Sequence, residues 1–248
     1  VILDYLTVKK KHKFLFRGMP KKLAAIFKNN GFLSKLNINP GADYKTLDQT
    51  IRFSKINAKK ENFCKAYLIN EFRFLSKDVS QNESIRKLIR SLLEIFKNIP
   101  KHGGSKSKNT GYICGHFFSE KKRIIITIAN WGLTFKTNYS IKQKEFKNDG
   151  GAIIYSLGEG ATSRDLNMET GGLGFSLIRE FLKDVKGSLA IISGDGLVME
   201  DFNSSFVIEA QLTDGYPGSV ISLVFSTDSP FFLQNKIIDN IQEEKIML

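Results

Sequence analysis

Between Ser84 and Asn98, apolar residues recur at Ile85, Leu88, Ile89, Leu92 and Phe96, the i, i+3, i+4, i+7 spacing of one helix face. A stripe of this kind has to be buried against a second layer, and the chain supplies one directly. After the loop "KHGGSKSKNTG" come two strand-like runs, "YICGHFF" and "RIIITIA", joined by "SEKK". Near the C-terminus "SLAIIS", "SFVIEAQL" and "SVISLVFS" read as three more strands, with "GYPGS" as the last turn. Helices and mostly hairpin-linked strands together predict an α+β fold, a two-layer sandwich of a mixed sheet with helices on one face.

The flanking segments are less regular. Residues 1–40 read as a strand, a basic turn, a short strand "FLFRG" and a helix opening at Pro20 and stopping at Gly31. Residues 38–50 are a loop, and "ENFCKAYLINEFRFL" is a helix. Pro100 is expected to kink the long helix or end it early. Residues 136–170 are polar and irregular apart from a short helix at "GGAIIYSL". An irregular glycine-rich stretch this long is the composition of a lid. The amphipathic run "FSLIREFLK" opens directly from "GGLG". Three segments result: a basic N-terminal segment 1–50, a main domain 51–230 and a tail 231–248.

Composition narrows the setting. No apolar run reaches the roughly 18 residues that a membrane span requires. Two cysteines, Cys64 and Cys114, are read as free thiols, and the protein as cytoplasmic. The net charge of +12 is concentrated: residues 1–60 carry 12 Lys and 2 Arg against 3 Asp. A field of that sign attracts nucleic acid or an acidic protein, through residues 9–60.

Four features occur in chain order. Glu94 and Asn98 lie one helical turn apart, about 180° and 220° around the helix from Ile85, and His102-Gly103 follows. Asn130-Trp131-Gly132 ends the run "RIIITIA". The lid-like stretch 136–170 comes next, and Gly171-Gly172-Leu173-Gly174 then opens a helix. An amide oxygen suits a hard cation, and a carboxylate can take a proton from water or a hydroxyl. Glycines ahead of a helix N-terminus make an anion site, because the opening amides lack internal partners and carry the positive end of the dipole.

In this order the set resembles the GHKL superfamily, which includes gyrase-type ATPases, sensor histidine kinases and anti-sigma-factor serine kinases; the last branch is the most similar. The likeness spans about residues 84–226, and "YPGSVISLVF" is similar to the strand that closes the domain in many members. The segment "FLFRGMPKKLAAIFKNNGFL" is similar to the tail of a STAS-like unit. The resemblance implies the Bergerat fold, with ATP and Mg²⁺ held between helices beneath a lid. It implies Glu94 as general base and Asn98 as the Mg²⁺ ligand. Asn130 and Gly132 would face the adenine, and the amides around Gly171, Gly172, Leu173 and Gly174 would face the phosphates. Thr162, Ser163 and Arg164 would be lid contacts to phosphate.

The family's adenine box is Asp-x-Gly-x-Gly, whereas here Asn130 stands for the Asp and Thr134 for the last glycine. Losing a charge-assisted hydrogen bond is expected to weaken adenine binding by ~1–2 kcal/mol, about tenfold. Thr134 is too bulky if that position needs a positive φ. The reading is a regulatory ATP/Mg²⁺-binding protein with a protein partner, compatible with a homodimer and without a membrane. It leaves open whether ATP is hydrolysed, transferred to a partner Ser or Thr, or only bound. The alternative is an inactive interaction module working through the basic N-terminal segment.

Overall fold

The computed structural model describes residues 18–36, 50–76, 79–102, 109–158, 173–229 and 231–232. Five strands form one sheet: β1 (Thr50–Asn57), β2 (Thr110–Phe118), β3 (Arg123–Trp131), β4 (Ser188–Asp201) and β5 (Phe206–Ser226), in the order β1-β2-β3-β5-β4. Seven helices accompany them among the described residues: α1 (Lys21–Asn29), α2 (Phe32–Lys35), α3 (Glu61–Glu71), α4 (Glu83–His102), α5 (Phe135–Ile141), α6 (Asp149–Leu157) and α7 (Leu173–Asp184). The fold is α+β, as the pattern predicts. The described sheet is wholly antiparallel rather than mixed. β3 and β4 run the same way, but β5 lies between them and pairs antiparallel with both.

The period of two along each strand decides the core. Ile124, Ile126, Ile128 and Asn130 of β3 share one face. Ile128 sits in a row with Ile113, Ile221 and Ile191, and Ile126 in a row with Gly115, Leu223 and Leu189. Onto these rows α4 lays Ile85, Leu88 and Leu92, and α7 lays Ile178, Phe181 and Leu182, all fully buried. Burying each such side chain is worth roughly 1.5–3 kcal/mol, which is why the apolar stripe, and not helix propensity, fixes where α4 lies. Buried Glu71, at the end of α3, accepts from the Arg52 backbone N–H (2.6 Å) and Nε (2.8 Å) and ties that helix to β1.

Four departures from the sequence pattern have physical causes. First, α4 runs through Pro100 to His102. A proline in the last turn forfeits only the bond to the Phe96 carbonyl, and Phe96 and Ile99 are pressed onto β2. An added Cβ at Gly111 would lie 2.7 Å from both side chains. Second, "SFVIEAQL" and "SVISLVFS" are one continuous strand, β5. The residues read as a turn instead form a bulge, where Gly194 pairs with Tyr216 but Gly196 with Gln211. Gly218 (φ +136°) passes against the Asn130 carbonyl, an approach closed to a side chain, and the Pro217 carbonyl accepts from Gly132 N–H (3.3 Å). Third, α1 and α2 contact the other face of the sheet through the ring series Phe27, Phe32, Phe53 and Tyr112. Fourth, the start of the stretch read as irregular is helical, because Thr134 caps α5 (Phe135–Ile141), and β1 lies where the sequence pattern predicts no element.

The strand expected at "FLFRG", except for its Gly18, lies outside the described residues. So do the first strand and basic turn expected over residues 1–17, residues 38–49 and 103–108, the lid stretch from 159 to 170, and almost all of the tail 231–248.

Candidate functional site

Topology brings the sequence-picked pieces to one end of the sheet. α4 ends where β2 begins, and Gly111 of β2 pairs with Asn130 of β3. α7 ends at the opposite edge, where Ser188 pairs with Val224. The two helices therefore run antiparallel. Lys87 in the first turns of α4 bridges Glu180 (2.7 Å) and Asp184 (2.6 Å) in the last turns of α7. Asn98 lies eleven residues above Lys87, and Leu173 eleven residues above Asp184. At 1.5 Å per residue, both are about 16 Å along their axes and thus level. Ring contact between Phe175 in the first turn of α7 and Phe135, four residues past β3, places the α7 start at the same end (5.9 Å).

The sheet changes character there. Above the row of four isoleucines the next row is Gly111, Asn130, Ser219 and Ser193. Ser193 is fully buried, donates to the Gly218 carbonyl (2.7 Å) and accepts from Phe135 N–H (3.1 Å). Asn130 is buried on the helix-facing side and forms no side-chain hydrogen bond with another described residue. Next to it Thr134 is extended (φ −77°, ψ 166°) and caps α5, its Oγ1 accepting from Thr137 N–H (3.2 Å). Its conformation carries no strain, so a threonine fits where the box pattern has glycine.

Glu94 and Asn98 are each partly buried, on the side of α4 that Lys87 turns towards α7. They are not a solvated back face. The Asn98 amide has no hydrogen-bond partner among the described residues. Glu94 is engaged: Lys97 Nζ lies 3.0 Å from its Oε1 and 3.0 Å from Glu61 Oε1 of α3. These two carboxylates, Glu94 first, raise the Lys97 ammonium above its ordinary pKa. For Glu94 to act as a base, this pair has to open.

A second polar group at this end escaped the sequence reading. Asp149, buried at the start of α6, accepts from Lys136 N–H on Oδ1 (2.7 Å), and its own N–H donates to Asp195 Oδ1 (3.0 Å). Gln211 Nε2 donates to Asp195 Oδ2 (2.9 Å). The Asp149 amide, followed by Gln211, holds the Asp195 carboxyl below the ordinary range. The available signal was Asn148, which caps α6 by accepting from Gly151 N–H (2.9 Å). Asp149 braces α5, α6 and the β4 bulge against one another beside Ser193.

Thr162, Ser163, Arg164, Gly171 and Gly172 lie outside the described residues. Leu173 and Gly174 open α7, so their backbone belongs to its first turn. Among the described residues no cluster of three or more His, Cys, Asp or Glu could hold a metal ion. Mg²⁺ held by one protein amide and nucleotide phosphates needs no such cluster, and Asn98 fits that donor set. Cys64 and Cys114 are free, and burial raises both thiols above their usual pKa. No described helix is long and apolar enough to cross a membrane. No protein-family model matches the chain, and no curated protein matches it significantly.

Proposed function

We propose that this chain is a regulatory nucleotide-binding protein of the GHKL type, taking Mg-ATP at the polar end of the sheet. The observation that carries the reading is the common level of three parts: Asn98 on α4, Asn130 and Gly132 at the end of β3, and the first turn of α7. Each part would take a different piece of the nucleotide. The Asn98 amide oxygen would take one site on Mg²⁺ while the phosphates fill others. The opening amides of α7 would face phosphate oxygens with the positive helix end behind them. Asn130 presents both an acceptor and a donor on the helix side of the sheet, with which a base edge would be read. Its neutrality leaves adenine held more weakly than by an aspartate, by ~1–2 kcal/mol.

Two roles at the site need a proton acceptor: hydrolysis, and transfer to a partner hydroxyl. Glu94 is the carboxylate placed for either, once Lys97 is drawn away by the incoming anionic phosphates. Calorimetry with Mg-ATP tests binding. A saturable heat that Asn98→Ala abolishes supports the reading. A folded protein that takes up no heat at millimolar nucleotide removes it. Glu94→Ala then separates binding from turnover: binding survives and any hydrolysis ends.

A further inference from the structure

β5 is 21 residues long, but β3 pairs only with its last part, from Gly218 to Ser226. Phe206 to Gln211 pair with β4 on one side alone among the described residues. Their other edge carries alternate N–H and C=O groups turned away from β4 that no described residue pairs. Free edges are usually defended by lysine, proline or a covering element. Among the described residues none of these protects this edge. Phe206, Val207 and Ile208 are 44%, 57% and 45% exposed, and Met199, the cross-strand partner of Ile208, is 40% exposed. On the opposite face Val198 is buried and Glu200 is paired with Arg179 of α7, while their cross-strand partners Glu209 and Val207 stay exposed.

Charge indicates what fits there. From Gly187 to Asn235 the chain has no Lys, Arg or His and six acidic residues, within a protein of net charge +12. Glu209, in the middle of this segment, is exposed, its carboxyl beside Gly150 at the start of α6, and it has no cation partner among the described residues. A second copy pairing edge to edge would bring two such acidic hairpins together, and like charges placed opposite one another destabilise a sheet. An added strand with alternating cations and apolar residues meets both features. Its apolar residues would lie beside Phe206 and Ile208, and its cations beside Glu209.

We infer that the Phe206–Gln211 edge is a docking strand for a basic, extended segment of a partner protein, which joins the sheet by β-addition. The inference does not depend on nucleotide binding.

The probe is a fluorescein-labelled octapeptide alternating lysine and valine, followed by anisotropy with the full chain. Saturable binding is expected, weakened as salt rises from about 50 to about 300 mM. It should fall at least about tenfold in Ile208→Lys/Glu209→Lys. Both positions are exposed, so that variant should keep the wild-type circular dichroism. A peptide N-methylated along one edge, which cannot pair, should fail to bind. Four results each overturn the inference: no binding up to about 1 mM peptide; equal binding of a block isomer with four lysines followed by four valines; equal binding to the double variant; or a homodimer in gel filtration that the double variant dissolves.

Discussion

Arg179→Ala is the perturbation whose size the structure defines best. Arg179 on α7 reaches three acceptors: Nε to Glu200 Oε2 (2.8 Å), Nη2 to Glu200 Oε1 (2.7 Å) and Nη1 to the Leu157 carbonyl (2.6 Å). It joins the end of α6, the middle of α7 and the β4–β5 hairpin at one point. The Glu200 side chain is only 10% exposed, so truncating Arg179 leaves a carboxylate nearly out of water without its cation. Removing one partner of a buried pair costs about 3–5 kcal/mol. Arg179 is itself 23% exposed, so water can enter behind it, and the lower end, about 3 kcal/mol, is expected. At ~2–4 °C per kcal/mol for a domain of this size, the midpoint should fall by roughly 6–12 °C. Urea unfolding of Arg179→Ala, Glu200→Gln and the double variant measures the free-energy loss, and thermal melts the midpoint. Glu200→Gln removes the buried charge, so the double variant should be markedly more stable than Arg179→Ala alone. A loss below about 1 kcal/mol in Arg179→Ala, or simple additivity in the cycle, would refute the reasoning, since either would mean an interaction no stronger than an exposed pair.

Three further outcomes follow from the same coordinates. Gly194→Ala should destabilise strongly, by ~3 kcal/mol or more: its φ is +50°, and the new Cβ would fall 1.9 Å from Asp149 Oδ2, which chemical denaturation will register. His116 is held below its usual pKa by burial, and its Nδ1 is buried without a partner among the described residues. The unfolded chain therefore binds the proton more readily, and stability present above the unfolded value near 6.5 should decline as the pH falls below it. His116→Phe should remove that decline and match or exceed wild type at pH 5 in thermal melts; an unchanged slope would mean that another group titrates. Lys97→Ala should cost less than about 1 kcal/mol, as a partly exposed pair does, while leaving the Glu94 carboxylate free; a larger loss would mark the Glu61–Lys97–Glu94 network as structural.

The helix layer was legible because its signals are periodic. The stripe from Ile85 to Phe96 and the run "RIIITIA" each state one face and one layer, and α4, β3, α6 and α7 lie where their residues predict. Less was legible where tertiary contacts override local chemistry. Tyr216-Pro217-Gly218 is turn composition, yet β3 on one side and β4 on the other hold it straight as a bulged strand. Pro100 breaks helices in isolation, but here it sits in a last turn that is clamped onto Gly111. At the site, Glu94, Asn98 and Asn130 could be chosen by residue type and order. The Ser193–Ser219 row and Asp149 could not, because their role depends on which strands become neighbours. The Lys97 clamp on Glu94 was equally hidden, since half of it comes from Glu61 on a different helix.

The central claim is that the polar end of the sheet, between α4 and the start of α7, is a nucleotide site. Crystals grown with Mg²⁺ and a non-hydrolysable ATP analogue test it most directly. The account predicts a metal beside the Asn98 amide oxygen, phosphates against the first turn of α7 and the base edge at Asn130. A nucleotide bound elsewhere, or an empty sheet end at saturating analogue, would contradict it.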